Sequence, residues 1–192
     1  MGRLSKRDVI LDTAENLFSV QGFIATGINQ ITEDAGVAPM TLYNNFKNKN
    51  ELILATLERR SDRLLLRIET EIDNADQTPQ SRIMSVFDTI SSWINEELQK
   101  PTGFTGCMFL KVAHEYTSDE SLEREVALKH KKSVIAIFER ELSSLNGDDV
   151  KSVALSLQLL IDGAITQSQL FKDRESANRA RKTAELILAI LE

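Results

Sequence analysis

Cysteine occurs once in the 192 residues, histidine twice, proline three times and glycine eight times, and aromatic side chains make up 6% of the chain. The lone thiol, Cys107, closes no internal disulfide and, with so few histidines beside it, builds no multi-cysteine zinc site. Such a chain holds together by packing alone and suits a reducing compartment. No stretch approaches the roughly 18–20 uninterrupted apolar residues of a membrane span. The N-terminus shows no apolar run followed by a cleavage site, so a cytoplasmic protein without a membrane partner is expected. No nucleophile–base pair, metal-ligand spacing or phosphate-cradling glycine loop is legible, and neither catalysis nor a cofactor is expected. With proline and glycine scarce, Leu, Ile, Ala, Glu, Lys and Arg set an all-α expectation.

The charge that is present is unevenly placed. Twenty-three Lys and Arg stand against twenty-nine Asp and Glu, a net −6, yet residues 1–63 hold eight of each sign. The whole acidic excess therefore lies behind a neutral first third, and a neutral head on an acidic body still binds phosphates locally.

Apolar periodicity and breakers divide that first third into short helices. Ile10, Ala14, Leu17 and Phe18 recur at helical spacing over about Lys6 to Gln21, and Gly22 is placed to end the helix. A second, short helix follows Thr26, whose hydroxyl is a fitting N-cap, with Ile28, Ile31 and Ala35 as its inward stripe before Gly36. A third spans Ala38 to Phe46, with Pro39 where a missing N–H is harmless and Leu42 and Phe46 inward. Asn48 and Glu51 resemble a capping box for a longer helix from about Asn50 to Ile72. Later helices are expected at about 79–99 (Thr78 cap, then Pro79), 106–116, 120–145, 149–171 and 175–191. The breaks between them fall at 74–78, Lys100 to Thr105, Asn146-Gly147 and Lys172-Asp173.

Two short helices joined by a glycine turn, here about residues 27–46, make a helix-turn-helix, whose second helix lies in the DNA major groove. With Leu42 and Phe46 inward, Met40, Thr41, Tyr43, Asn44 and Asn45 are left to face outward or sideways. An Asn amide meets an adenine edge in two places, a Thr methyl meets a thymine methyl, and a Tyr hydroxyl reaches phosphate or base. Lys47 and Lys49, at the start of the next helix, fit phosphate oxygens, which position the head without reading sequence.

The segment GFIATGINQITEDAGVAPMTLYNNFKNKNELI resembles the signature of the TetR family of bacterial regulators. Thr26 leads into Ile31 and Ala35-Gly36-Val37, then T-L-Y-x-x-F at 41–46 and K-x-K-x-E-L at 47–52. The resemblance covers roughly residues 5–60. It implies an N-terminal three-helix helix-turn-helix head, a larger antiparallel helical bundle that binds a ligand and dimerises, and repression of a palindromic operator relieved by a small-molecule inducer. It further implies phosphate contact at Thr26 and Lys49, a DNA contact at Asn29, and recognition contacts at Thr41, Tyr43 and Asn45. Asn44-Asn45 departs from the aromatic and histidine pair frequent there, which leaves the operator sequence open. The expected division is a head at 1–49, a connecting helix at 50–73 and a ligand-binding and dimerisation domain at 74–192.

The second half carries softer signals. Leu155, Leu159, Gly163 and Thr166 share one edge of a helix apolar nearly all round, and Ala180, Ala184, Ile187 and Leu191 stripe the last helix. Small residues allow close approach, so these two helices are expected at a two-fold dimer seam, with ordinary intramolecular core as the alternative. Candidate ligand-pocket residues are Met84, Phe87, Trp93, Phe104, Cys107, Met108, Phe109, His114 and Phe138, since small-molecule sites are mostly apolar with a few polar groups. Cys107, just after Gly106 at an expected helix start, also permits a second reading: a DNA-binding regulator controlled by thiol oxidation or by a protein partner. A helical carrier or enzyme is the remote third. Lys129-His130-Lys131-Lys132 reads as a solvated helix face rather than a second nucleic-acid contact.

Overall fold

The computed structural model describes residues 5–99, 101–143 and 149–191, and among them the chain forms α-helices and no strand. They are α1 (Lys6–Gln21), α2 (Ile28–Asp34), α3 (Pro39–Asn45), α4 (Lys49–Asn74), α5 (Pro79–Leu98), α6 (Met108–Glu115), α7 (Leu122–Leu142), α8 (Val150–Phe171) and α9 (Glu175–Ala189). The expected breaks at Lys100 and Asn146-Gly147 lie outside the described residues.

Local chemistry sets the boundaries. Ser5 caps α1 by accepting from the Asp8 N–H, and Gly22, at φ 88°, ends it where the left-handed region favours glycine. Thr78 caps α5 over the Ser81 N–H with Pro79 in the first turn, and Asp149 caps α8 over the Ser152 N–H. Asn48 Oδ1 accepts from the Glu51 N–H at 2.9 Å while the Glu51 carboxylate accepts from the Lys47 N–H at 2.8 Å, a reciprocal capping box that opens α4. One cap differs from expectation. The N-cap of α2 is Gly27, without a side-chain bond, because the Thr26 hydroxyl turns back to the Gly22 carbonyl at 2.6 Å.

The helices form two compact units, and the division is not the one expected from sequence. The first unit takes Met1–Asp62 together with Met108–Lys129; the second takes Arg63–Cys107 and His130–Glu192. Helix α6 and the start of α7 thus belong with the head rather than with the C-terminal bundle. In the first unit, α1, α2 and α3 pack on one another around Ile10, Phe18, Phe23, Ile31, Leu42 and Phe46, all essentially without solvent exposure. Glu15 ties α1 to α4 through Arg60 at 2.7 Å and Arg59 at 3.2 Å. In the second unit, α5, α8 and α9 pack together. Ala177, Ala180, Ala184 and Leu188 of α9 are buried there, and the small side chains let α9 lie close against its neighbours.

Candidate nucleic-acid interface

Helix α3 is only seven residues long, too short to persist by itself, so its side chains are presented by what anchors it underneath. Leu42 and Phe46 are that anchor, and the Arg7 guanidinium lies 4.9 Å from the centre of the Phe46 ring. The opposite side leaves Met40 69% and Tyr43 50% exposed, with Asn44 exposed beside them. Large side chains standing this far into solvent at the head of a helix-turn-helix are what groove reading requires. The turn before α3 is made at Gly36, φ 61°, whose N–H bonds the Glu33 carbonyl while Val37 N–H bonds Thr32.

The candidates differ in how free they are. Asn44 and Asn29 are exposed, as is Lys47. Asn45 is half-buried, and its Nδ2 donates to the Thr41 carbonyl at 2.8 Å, one turn back, which engages part of its amide with the helix itself. Thr41 is also half-buried. Thr26 is fully buried with its hydroxyl given to Gly22, so the phosphate contact that the resemblance implied is not open to its side chain in this arrangement. Lys49 is half-buried, and its Nζ donates to the Ile24 carbonyl at 3.2 Å. Burial holds its ammonium below the ordinary lysine value, while the charge of Glu115 works the other way.

Glu115 is the group that sequence reasoning missed. From the C-terminal end of α6 its two carboxylate oxygens accept from consecutive backbone amides of the α1–α2 turn, Phe23 at 3.2 Å and Ile24 at 2.7 Å. Lys111, one turn earlier on α6, donates to the Ser19 carbonyl in the last turn of α1. Tyr116 packs edge-on against Phe23, ring centres 6.0 Å apart, and burial, then Glu123 and Glu115, push its hydroxyl up to about 12. A separation of 92 residues between Glu115 and Phe23 leaves no local signal in the sequence.

The pocket candidates do not come together as one set. Met84, Phe87, Phe104, Cys107 and Phe138 are buried in the second unit, where Phe87 faces Phe138 at 6.0 Å and the half-buried Trp93 meets Phe104 edge-on at 5.1 Å. Met108 and Phe109 are buried in the first unit, and His114, on the same helix, is exposed rather than turned into a core. The run at 129–132 is mixed: Lys129 and Lys132 are exposed, Lys131 pairs with Asp162, and His130 is buried.

The seam candidates divide by helix. On α8, Leu155, Leu159, Gly163 and Thr166 are exposed, Leu159 to 71%. On α9, Ala180 and Ala184 are buried within the chain, and Ile187 and Leu191 are half-buried. The outward apolar side chains there are Leu186, 68% exposed, and Ile190, 84% exposed. Alanines serve close packing equally well inside a subunit, and that is where these lie.

Known proteins agree with this geometry. Residues 10–56 match the family described as "Bacterial regulatory proteins, tetR family". An HTH-type transcriptional regulator of Bacillus subtilis, YxaF, is 29% identical over 178 residues, 90% of this chain and 89% of that protein. The HTH-type transcriptional repressor ComR of Escherichia coli is 33% identical over 86 residues, 45% of this chain and 41% of its own. The crystal structure of SCO4454, a TetR-family transcriptional regulator from Streptomyces coelicolor, superposes with a TM-score of 0.88 at 26% identity, covering 97% of this chain and 95% of that one. With its helix-turn-helix head and all-helical second unit, the chain has the fold of TetR-family transcriptional regulators, and its residues 10–56 match that family.

Proposed function

We propose that the chain acts as a homodimeric repressor in the cytoplasm: two copies of α3 enter successive major grooves of a palindromic operator, and a small molecule bound in the second unit releases them. The observation that carries the DNA-reading part is the outward face of α3, where Met40, Tyr43 and Asn44 stand exposed over the buried Leu42 and Phe46. Pairing is supported by Leu155 and Leu159 on α8 and by Leu186 and Ile190 on α9, a run of exposed large apolar side chains that a monomer rarely keeps in water. Two-fold symmetry then sets the two reading helices roughly 34–36 Å apart, one turn of DNA. A ligand that binds better to a conformation with another spacing shifts the population off the operator, and no catalysis is required. The relative named as a repressor agrees in direction.

The test is to sequence the genomic fragments retained by the purified protein at near-physiological salt, beside a Tyr43→Ala, Asn44→Ala variant. Salt matters because phosphate attraction alone binds any sequence when it is low. A palindrome enriched by the wild type and lost by the variant supports the reading, and the genes beside it indicate the chemical class of the inducer. Equal enrichment by both proteins removes α3 as the reading helix. Induction is tested separately by calorimetry: a ligand and an operator that bind with no mutual effect sink it, because coupling between two sites is reciprocal.

A further inference from the structure

We infer that Glu115, assisted by Lys111, is a positioning residue for DNA reading: from α6 it fixes the α1–α2 turn, and that turn sets the placement of α2, α3 and Lys49. The inference rests on the DNA-reading function of α3 proposed above.

Beyond the Gly22 N–H bond to the Phe18 carbonyl, the turn from Gly22 to Thr26 has no helix to define it, and the bonds given for the rest of it come from side chains. Glu115 takes the amides of Phe23 and Ile24, Thr26 takes the carbonyl of Gly22, and Lys49 takes the carbonyl of Ile24. Helix α2 begins two residues later with seven residues and no side-chain cap, below the length at which a helix persists unaided. Its start is therefore inherited from the turn, and α3 packs on α2. The clamp is matched in polarity. The carboxylate meets N–H groups, and the ammonium of Lys111, on the same face of α6, meets a carbonyl of the last turn of α1. Bonds to a charged acceptor are stronger than neutral ones, so this is the firmest grip on the turn. Gly22 is shaped to it: a Cβ there would lie 2.5 Å from Glu115 Oε1. Lys49, which the family resemblance assigns to phosphate, is held by the far side of the same turn, with Glu115 as a charged neighbour.

A displaced turn alters the pitch of α3 in the groove and shifts Lys49, while Lys47 and most of the general phosphate attraction stay in place. Loss of Glu115 therefore reduces discrimination between sequences more than total DNA affinity, which general destabilisation would not do. Glu115→Gln tests this in the full chain, because its amide turns a donor towards one of the two N–H groups. The probes are a labelled duplex carrying the palindrome enriched by the wild type and a scrambled duplex of equal length, titrated by fluorescence anisotropy at near-physiological salt.

The expected result is roughly ten-fold weaker binding to the palindrome, in line with loss of bonds to a charged acceptor. Binding to the scrambled duplex changes much less, by the share that Lys49 contributes, and the Phe23 and Ile24 amide signals in nitrogen-15 spectra move upfield. Glu115→Asp, which keeps both acceptor oxygens one methylene back, recovers part of the discrimination. Lys111→Met lowers it less than Glu115→Gln and carries the test should the latter not fold. An unchanged ratio between the two duplexes in a folded variant overturns the inference, and so does failure of both variants to fold, since the clamp would then be a general stability element. A wild type that enriches no fragment defeats the regulator reading itself, an outcome distinct from either.

Discussion

The two units use charge in different ways. In the first, beside the pairs of Glu15 with Arg59 and Arg60, charged and polar side chains hold backbone: Glu115 on two amides, Lys111 and Lys49 on carbonyls, Glu51 on the Lys47 amide, Asn45 and Thr26 on carbonyls. In the second, charges hold one another across helices: Arg67 with Glu96, Arg82 with Glu141, Arg140 with Glu69, Arg181 with Asp88, and Lys131 with Asp162. Helix length explains the difference. The helix-turn-helix elements α2 and α3 have seven residues each, whereas α5 and α8 have twenty and twenty-two. Long helices satisfy their own backbone and need only side-chain packing; short ones need their ends fixed from outside.

The most forceful way to break this comparison is Phe18→Ala. Phe18 is fully buried between the helices of the head and stacks on Phe23 at 5.1 Å, and such truncations cost about 3–5 kcal/mol. Hydrogen exchange is expected to show α1 to α3 losing protection while α8 and α9 keep theirs; equal loss everywhere would mean that the two units are one cooperative body. Next in size, Leu159→Glu or Leu186→Glu is expected to abolish pairing without unfolding the chain, because both side chains point outward in the second unit. Sedimentation velocity reads the result, and a variant that stays dimeric places the seam elsewhere.

A smaller effect separates the two uses of charge. Thr26→Val removes the hydroxyl from the Gly22 carbonyl at a buried site, expected to cost about 1 kcal/mol by chemical denaturation and to weaken palindrome binding as well. No single ion pair of the exposed kind, such as Arg67 with Glu96, is expected to reach that cost. The smallest effect concerns pH. Burial raises the Glu141 carboxyl, but bonds to Arg82 and Arg140 outweigh it and hold the group below its ordinary value of 4.5. Its depressed value means that the stability it confers is present above pH 4.5 and is lost as pH falls through the lower folded value. Glu141→Gln is expected to flatten that acid-side loss in thermal melts while leaving the profile above pH 6 parallel to wild type. An unaltered acid limb excludes Glu141 as its source.

The sequence was readable wherever a signal is local. The ends of α1, the Thr78 cap with Pro79, the box of Asn48 and Glu51, and the inward pair Leu42 and Phe46 are each set by residues within one or two turns. It was unreadable wherever a short polar or small side chain has two equally good uses. Thr26 caps a helix in one arrangement and bonds back to Gly22 in another, and only the tertiary fold selects the second. The α9 alanines permit close approach to a helix of the same chain or of a second copy; the structure buries them in the first. Glu115 lay beyond reach altogether, since nothing near it in sequence distinguishes it from a solvated acid at a helix end. The same long-range contacts place α6 in the compact unit of the head.

The contact between Gly22 and Glu115 also bears on how this sequence is free to drift. A library randomised at position 22 should return glycine alone, since any other residue meets both the positive φ and the carboxylate. Shortening residue 115 removes the second obstacle and leaves the first, and at φ 88° and ψ 170° the backbone is one that essentially only glycine adopts, so position 22 should stay glycine in that background too. Position 22 is thus held twice, by its own backbone and by a neighbour more than ninety residues away, and a relative with another residue there is expected to build the turn differently.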